Sequence, residues 1–350
     1  MGKAILRGKA ILLGTLVLLG QAMPASGDGL VTDQDNGSEY GGTSQARWSV
    51  WRGAILRQTA GALTQRFSPE WLAYSSLPPE VARAYIAPVA GESRTAEGWS
   101  LWKSTSWMHL RRNGAAIAGK GHSLSGTQGL DKALNDWLTA GASVTVTRSK
   151  ARDRANGTWE RTWQEALALY ADVRLTDGVG LSMQAGPVWQ QQRFRDGSAI
   201  GLVRGKRHSL GWMASASLSA QRWVSPTMLV SGRMSLMASR DRWRAHAASN
   251  GAATVLRPAR SEALVQGMAE AGVSWWLAPV MPYVRVAYGR DLYRHNIAGG
   301  DRDDFTFTGG LSWFGTGRWN GLSLDLSGSA RVGRKHERAQ TLALGVRWGW

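Results

Sequence analysis

Apolar and polar residues alternate with a period of two from Trp99 to the last residue, Trp350. Because successive side chains of a β-strand point to opposite faces, the pattern predicts strands with one apolar and one polar face. In the last ten residues the apolar face consists of Leu342, Leu344, Val346, Trp348 and Trp350. Since frayed termini are normally polar, this end of the chain is predicted to be structured.

The alternation predicts twelve strands. They span about residues 99–110, 122–133, 137–148, 160–175, 179–191, 205–223, 227–239, 260–277, 281–291, 303–314, 321–333 and 340–350. Tight turns such as TDG and SPT alternate along the chain with longer polar loops such as the Arg-rich stretch 240–259. Short turns at one end and long loops at the other are typical of a barrel whose ends face different compartments.

The second face of these strands is built from Ser, Thr, Gly, Gln, Asp and Arg, which favours a membrane barrel with a polar interior over a soluble sandwich or propeller. Aromatic residues near strand ends indicate membrane interfaces, although a soluble β-protein also has core aromatics. They are Trp99, Trp137, Trp223, Trp275, Trp276, Tyr283, Trp313, Phe314, Trp319, Trp348 and Trp350. The predicted fold is all-β: a twelve-stranded antiparallel up-and-down outer-membrane barrel over residues 99–350.

The N-terminal region predicts export. Residues 1–27 combine Lys3, Arg7 and Lys9 with an apolar run at 10–20 and small residues before position 27, as in a secretory signal peptide. The apolar run is too short to cross a bilayer as a helix. Residues 28–98 form a short linker and helical segment, which we interpret as a vestigial passenger or a pore plug.

Composition and charge refine this interpretation. The 350-residue chain has no cysteine, a mean hydropathy of −0.26 and a formal net charge of +17. Basic patches such as RGKRH suggest a nucleic-acid partner, but export argues against one. We expect the Arg-rich loops to meet the phosphates of outer-membrane lipid and lipopolysaccharide.

The carboxyl half resembles the β-domain of autotransporters, the type V secretion proteins of Gram-negative outer membranes. The resemblance lies in AEAGVSWWLAPVMPYVRVAYGRDL (270–292), GGDRDDFTFTGGLSWFGTGRWNGLSLDLSGS (299–329) and the terminal LGVRWGW. It implies a twelve-stranded barrel with both barrel termini in the periplasm and a helix from the N-terminal side in the pore. No repeat typical of a secreted β-solenoid passenger precedes the barrel.

The candidate pore helix is residues 45–66, whose 22 residues span ~33 Å as a helix. Its candidate pore-contacting residues are Trp48, Trp51, Arg52, Ile55 and Arg57. A peripheral amphipathic helix is the alternative interpretation. Outer-membrane barrels also resemble one another in a C-terminal signal read by the assembly machinery, which Gly345, Trp348 and Trp350 match. The resemblance implies the barrel-assembly machinery and periplasmic chaperones as partners.

No residue pattern predicts an enzyme, a cofactor site or a metal site. His122–Ser123 and His208–Ser209 lack a nucleophile elbow and a placed acid. The remaining histidines lack metal-ligand spacing, and Asp301, Asp303 and Asp304 lack the spacing of a calcium loop. We therefore expect no catalytic, cofactor-binding or metal-binding residues and identify no small-molecule substrate.

Three functions remain open. The first is an autotransporter-like barrel that anchors or exports a short N-terminal segment to the cell surface. The second is a porin-like channel, and the third is a surface-adhesion barrel without a passenger.

Overall fold

The computed structural model describes Gln58 and residues 99–112, 119–153, 157–198, 201–297, 301–315, 319, 322–334 and 337–349. Residues 1–57 and 59–98, which hold the predicted signal and most of the predicted linker, lie outside this description. In the described part of the chain, no helix has the length and apolar character needed to cross a membrane.

The part of the chain that the structure describes from Trp99 onward contains fourteen strands. They are β1 (Trp99–Arg112), β2 (Gly119–Asn135), β3 (Leu138–Asp153), β4 (Thr158–Thr176), β5 (Val179–Ser198), β6 (Gly201–Ser225), β7 (Met228–Trp243), β8 (His246–Ser249), β9 (Thr254–Arg257), β10 (Arg260–Trp275), β11 (Val280–His295), β12 (Asp303–Phe314), β13 (Leu322–Val332) and β14 (Glu337–Gly349). The short strands β8 and β9 form a hairpin beyond the wall, and the other twelve strands form the barrel.

Each barrel strand pairs antiparallel with its neighbours in chain order, with β7 next to β10. The barrel closes between its first and last strands, where Ser106 of β1 lies opposite Ala343 of β14. No open edge remains in this ring, which satisfies every strand's backbone without water. The predicted twelve-stranded antiparallel barrel is confirmed.

The side chains alternate as predicted, with apolar groups outward and polar groups inward. On β6 the outward positions from Leu210 to Ala220 are all apolar and are bounded by His208 and Arg222. Ten residues at about 3.3 Å each, tilted by about 40°, give an apolar band ~25 Å tall, the height of an outer-membrane barrel's lipid face. On β14, Leu342, Leu344 and Trp348 are outward and exposed, as the sequence predicted.

The strands are longer than predicted at the end that carries the long connections, which we call the outer end. Most of the predicted loop FRDGSAIGLVRGK continues β5 and β6, and the Arg-rich stretch 240–259 contains the β8–β9 hairpin. Backbone pairing continues past the apolar band because water accepts charged side chains on both faces of a strand. Many of the basic residues assigned to loops therefore lie on strands.

Four aromatic residues assigned to the membrane interface instead face the interior at the opposite end, which we call the turn end. Trp276, Tyr283 and Phe314 are buried, and Trp223 packs against the same interior region. Trp275, Trp348 and Trp99 do face outward. Trp275 and Trp276 are adjacent in sequence, so only one of them can take the outward position.

Candidate functional site

The barrel lumen is the candidate site, and hydroxyl groups line one of its walls. The inward residues of β2 and β3 include Ser125, Thr127, Thr145 and Thr147, all buried. Cross-strand pairs join Ser125 Oγ to Thr147 Oγ1 and Thr127 Oγ1 to Thr145 Oγ1, both at 2.9 Å. These short side chains satisfy one another's hydrogen-bonding groups across the two strands.

An aromatic and carboxylate network lies on the same side of the lumen, towards the turn end. Trp102 Nε1 donates to the hydroxyl oxygen of Tyr170 at 2.6 Å, and that hydroxyl donates to Asp131 Oδ2 at 2.8 Å. The three side chains come from β1, β4 and β2 and are at most 5% exposed. Hydrogen bonding permits this burial of polar atoms.

Charged side chains line the opposite wall. Arg233 of β7 and Arg285 of β11 flank Glu270 of β10, with N–O distances of 3.9 and 4.0 Å. On the adjoining strands, the Tyr283 hydroxyl donates to Asp325 at 3.1 Å and Ser312 Oγ donates to the same carboxylate at 2.7 Å. The wall of β7, β10 and β11 therefore carries an acid flanked by two bases, whereas hydroxyl pairs predominate midway along β2 and β3.

An apolar cluster fills the interior of the charged side at the turn end. Leu229, Trp276, Met281 and Phe314 pack together, and Leu229 and Met281 are fully buried. Trp276 and Phe314 contribute an aromatic pair with ring centroids 5.7 Å apart. This cluster joins β7, β11 and β12 below the polar lumen.

At the outer end, ion pairs and stacked cations attach the β8–β9 hairpin to the wall. Arg257 of β9 bonds Asp196 of β5 at 3.1 Å, and its guanidinium lies 5.3 Å from the Phe194 ring centroid. Arg207 of β6 lies 5.5 Å from the same ring and 4.5 Å from that of Trp243. A buried guanidinium that stacks on rings and pairs with a carboxylate holds a fixed geometry.

The hairpin also carries His246, whose ring lies edge-on to Phe194 at 5.6 Å. Burial lowers the pKa of His246, and the nearby cations Arg207, Arg257 and Arg260 lower it further, against the raising effect of a hydrogen bond with the Arg244 carbonyl. Burial and neighbouring positive charge both disfavour the protonated ring.

A second ion cluster lies at the outer end between β11, β12 and the β13–β14 loop. Arg334 bonds Asp304 Oδ2 at 2.9 Å and Asp291 Oδ1 at 3.0 Å, and Arg294 Nε bonds Asp291 Oδ2 at 2.8 Å. Burial lowers the pKa of Arg334, but the carboxylates of Asp291 and Asp304 more than offset this and leave it above its ordinary value. The cluster fixes the loop onto the wall.

Gln58 is the described residue that reaches the lumen from the N-terminal region. It is helical, 8% exposed, and its Nε2 lies 2.9 Å from both the carbonyl oxygen and Oγ of Ser106. Ser106 occupies an inward position of β1 between the buried residues Ser104 and Met108. The side chain of Gln58 therefore lies inside the barrel.

The sequence-predicted site residues divide between the two parts of the chain. Trp48, Trp51, Arg52, Ile55 and Arg57 lie outside the described residues, as does Trp350. Gly345 occupies an inward position of β14, and Trp348 faces outward with 57% of its surface exposed. The roles of these residues stay predictions.

The groups considered for catalysis and metal binding do not converge. Ser123 faces the lumen while His122 faces outward, and Asp303 faces outward while Asp304 faces inward. In the residues that the structure describes, no three His, Asp or Glu side chains are grouped to hold a metal ion.

Sequence reasoning missed the Trp102–Tyr170–Asp131 network, the Arg207–Phe194–Arg257 stack and the turn-end apolar cluster. The one available signal was a large aromatic residue at an inward position of a predicted strand. Such a residue among Ser and Thr is unusual for a water-filled lumen. The partners come from distant strands, so the sequence did not indicate the contacts.

The backbone fold has close structural relatives. The translocator domain of autotransporter NalP from Neisseria meningitidis matches with a TM-score of 0.63 and 16% sequence identity, covering 81% of this chain and 98% of that one. The β-domain of the Bordetella autotransporter BrkA matches with a TM-score of 0.62 and 16% identity, covering 73% of this chain and all of that one.

At the level of sequence, no family model matches the chain. No curated protein matches it either. The strand number, the closure of the barrel and the outward apolar band all point to the same fold as these two structures. The chain is therefore an outer-membrane β-barrel with the fold of the autotransporter translocator domain.

Proposed function

We propose that the barrel anchors its own N-terminal region in the outer membrane and presents a short segment at the cell surface. In this proposal residues 45–66 occupy the lumen as a helix and residues 28–44 reach the exterior. The observation that carries it is the contact of Gln58, at the centre of that segment, with lumen-facing Ser106.

The position of Ser106 supports this arrangement. It lies seven residues into β1, about 23 Å along the strand from the turn end. Forty residues separate Gln58 from Trp99, where β1 begins, so the chain has ample length to return from the lumen to the turn end. A segment held inside the barrel at this depth is well placed to continue towards the outer end.

The proposal includes the route to the membrane. Residues 1–27 direct export across the inner membrane of a Gram-negative cell, and periplasmic chaperones then deliver the chain to the barrel-assembly machinery. That machinery reads Gly345, Trp348 and Trp350, so that assembly follows the type V secretion pathway. The proposed role involves no catalysis and no small-molecule substrate.

A porin-like channel is the second candidate, and the polar lumen favours it. The hydroxyl wall of β2 and β3 and the charged groups around Glu270 give the lumen a polar lining. If the lumen segment is a plug without an exported part, the barrel conducts ions only when that segment is removed.

A cysteine cross-link tests occupancy of the lumen, because the chain contains no cysteine of its own. Gln58→Cys combined with Ser106→Cys is expected to be joined by a short bismaleimide cross-linker in assembled barrels, because the contact is made by the far end of the Gln58 side chain and a cysteine there is shorter. Gln58→Cys combined with Thr105→Cys is the matched control, since Thr105 faces outward on the same strand. Equal cross-linking in both pairs, or none in either, contradicts a lumen position for residue 58.

An epitope inserted within residues 28–44 tests surface presentation. We expect antibody and protease to reach it on intact cells. Protection of the epitope until the outer membrane is permeabilised contradicts presentation. Planar-bilayer conductance of a variant lacking residues 45–66 then tests the channel: a large increase over the full chain supports a plugged pore.

A further inference from the structure

Basic side chains form two rows on the outward face of the barrel at its outer end. The lower basic row, nearer the apolar band, crosses six neighbouring strands through His109, His122, Lys150, Arg161, Arg193 and Lys206. In each successive pair the residues lie directly opposite each other, so side chains of this row are separated by about one strand spacing, roughly 5 Å.

The upper basic row lies two residues farther along each strand and extends to β14. It carries Arg338, Arg111, Lys120, Arg152, Arg195 and Arg204, with Trp159 between Arg152 and Arg195. All these side chains are exposed or partly exposed, whereas the residues between them on each strand face inward. The rows therefore form one continuous basic surface about two residues deep.

Acidic side chains are nearly absent from this face. At the same end of β3, β4, β5 and β14, the carboxylates of Asp153, Glu160, Asp196 and Glu337 are buried on the inward face. Within the described strands β1–β6, Glu165 is the one outward acid, and it accepts a hydrogen bond from Trp163 Nε1 at 2.8 Å. The cations of the lower row have no carboxylate partner among the described residues of that face.

Like charges placed directly opposite on neighbouring strands repel one another. Lys150 opposes Arg161, Arg161 opposes Arg193, and Arg193 opposes Lys206. Such an arrangement is unfavourable by itself, but anions located between the cations make it favourable. Arg161 is additionally held by Trp159, whose ring centroid lies 5.3 Å from the guanidinium, so this cation is already oriented.

The height of the rows identifies the source of the anion. On β1 and β4 the next outward residues inside the lower row are Trp107 and Trp163. On β5, Trp189 lies one outward position farther in, past Gln191, and these aromatic residues mark the edge of the apolar band. Tryptophan at that edge lies at headgroup level. A ligand of the rows must therefore lie beside the wall, as a membrane lipid does, and the outer end faces the outer leaflet.

Among the described residues, the remaining wall has no continuous row of this kind. Exposed Arg240 and Arg242 lie on β7, but the residues opposite them on β10 are Ala263 and Ser261. On β11 and β12 at this height, Arg290 pairs with outward Asp303 at 3.7 Å, and Tyr288 packs on Phe305 with centroids 5.4 Å apart. A general requirement for basic residues at the membrane surface does not explain why they form two continuous rows on neighbouring strands of one side.

We propose that the two basic rows on β14 and β1–β6 form a binding site for the phosphate groups of lipopolysaccharide in the outer leaflet. Arginine and lysine bind phosphate through charge-assisted hydrogen bonds, and rows of cations match the several phosphates of this glycolipid. The proposal depends on insertion of the barrel in the outer membrane and not on export of an N-terminal segment. A protected epitope in the surface-presentation experiment therefore does not contradict the lipopolysaccharide proposal.

The test uses the purified full chain in detergent and native mass spectrometry. The bisphosphorylated glycolipid anchor of lipopolysaccharide is titrated in parallel with its dephosphorylated form and with phosphatidylglycerol. The variant carries Lys150→Gln, Arg161→Gln and Lys206→Gln. The control removes the same charge from exposed or partly exposed positions at the turn end: Lys132→Gln, Arg174→Gln and Arg222→Gln. Heat-modifiable migration on gels confirms that each is folded.

The lower-row variant is expected to bind the bisphosphorylated glycolipid at least ~10-fold more weakly than the unaltered chain, and the control within about 2-fold. The unaltered chain is expected to prefer the phosphorylated form over the dephosphorylated form by a similar factor. Equal losses in variant and control, no loss in the variant, or equal binding of the dephosphorylated form overturns the proposal. Binding of phosphatidylglycerol as tight as that of the glycolipid also overturns it. If Lys150→Gln, Arg161→Gln and Lys206→Gln together prevent folding, Arg161→Gln alone provides the same comparison.

Discussion

The two ends of the barrel interior are held together by different chemistry. At the outer end, Arg257 pairs with Asp196, and Arg207 stacks on Phe194 and Trp243. At the turn end, Leu229, Trp276, Met281 and Phe314 pack as an apolar cluster. The outer end thus adds directional interactions to a small apolar cluster of Phe194, Val203 and Ala248, whereas the turn end near Met281 depends on non-directional burial.

The connections explain the difference. Strands at the turn end are joined by tight turns that already fix their neighbours, so an apolar cluster is sufficient to fill the remaining space. The outer end carries the β8–β9 hairpin, which has only a short ladder to β6. Ion pairs and cation–π contacts give this hairpin one position because they require particular distances and orientations.

The largest expected effect comes from breaking the ion pair at the outer end. Asp196→Ala leaves Arg257 buried without its carboxylate, which costs about 3–5 kcal/mol for a pair of this kind. We expect the cost to appear as faster amide hydrogen exchange in residues 246–257.

The matched control is Asp303→Ala. Its partner Arg290 is exposed, and the two side chains retain 56% and 48% of their surface. An exposed pair contributes up to about 1 kcal/mol. Equal effects of the two substitutions on hairpin exchange contradict a directional lock at the outer end.

Met281→Ala tests the apolar end. Met281 is fully buried within the turn-end cluster, and its truncation is expected to lower the free energy of unfolding by about 2–5 kcal/mol. Urea unfolding in phospholipid vesicles, followed by tryptophan fluorescence, measures the change.

Met234→Ala is the control, because Met234 faces lipid with 67% of its surface exposed. Lipid fills the space that this substitution leaves, so we expect a loss of about 1 kcal/mol. Hairpin exchange at 246–257 is expected to change in neither variant beyond the global effect. A specific rise there for Met281→Ala shows that the two ends are coupled.

The turn end is not apolar all round. On the wall formed by β1, β2 and β4, a polar network takes the place of the apolar cluster. Tyr170→Phe removes the hydroxyl that joins Trp102 to Asp131 and leaves two buried polar groups with one partner fewer. We expect a loss of about 1–3 kcal/mol in urea unfolding. Tyr293→Phe, at a 47%-exposed side chain, is the control and is expected to change stability by at most about 0.5 kcal/mol. If Tyr170→Phe leaves the free energy of unfolding unchanged, the network does not stabilise the wall.

The sequence predicted the strand number and the orientation of most side chains, because alternation is a local property of each strand. Leu342, Leu344 and Trp348 face lipid as expected. The strand ends were less predictable, since hydrophobicity falls where the wall leaves the membrane although pairing continues. Around Arg161 the inward residues Glu160 and Thr162 still alternate with the outward residues, which is the signal that the strand continues.

The interior contacts were not predictable from local pattern. Trp102 and Tyr170 are 68 residues apart and meet because β1, β2, β3 and β4 curve around the axis. The same is true of Arg257 and Asp196, which are 61 residues apart. The basic rows could be recognised only from the register of six strand pairs. A shift of two residues in any pair would move its cations out of the row.

The smallest predicted effect concerns pH at the outer end. Burial, together with Arg207, Arg257 and Arg260, lowers the pKa of His246 below its ordinary value of 6.5. The unfolded hairpin therefore binds a proton at a higher pH than the folded one, so hairpin stability falls as the pH drops through this range. Because His246 is only partly buried, we expect a loss of less than about 1 kcal/mol between about pH 7.5 and pH 5.5.

Amide exchange of residues 246–257, corrected for intrinsic rates, measures this loss, and His246→Gln is expected to abolish the dependence. The apolar cluster at Met281 has no such group, and unchanged protection of residues 280–284, at the turn end of β11, separates the two ends over the same pH range. A dependence that persists in His246→Gln assigns it to the carboxylates of the outer end instead.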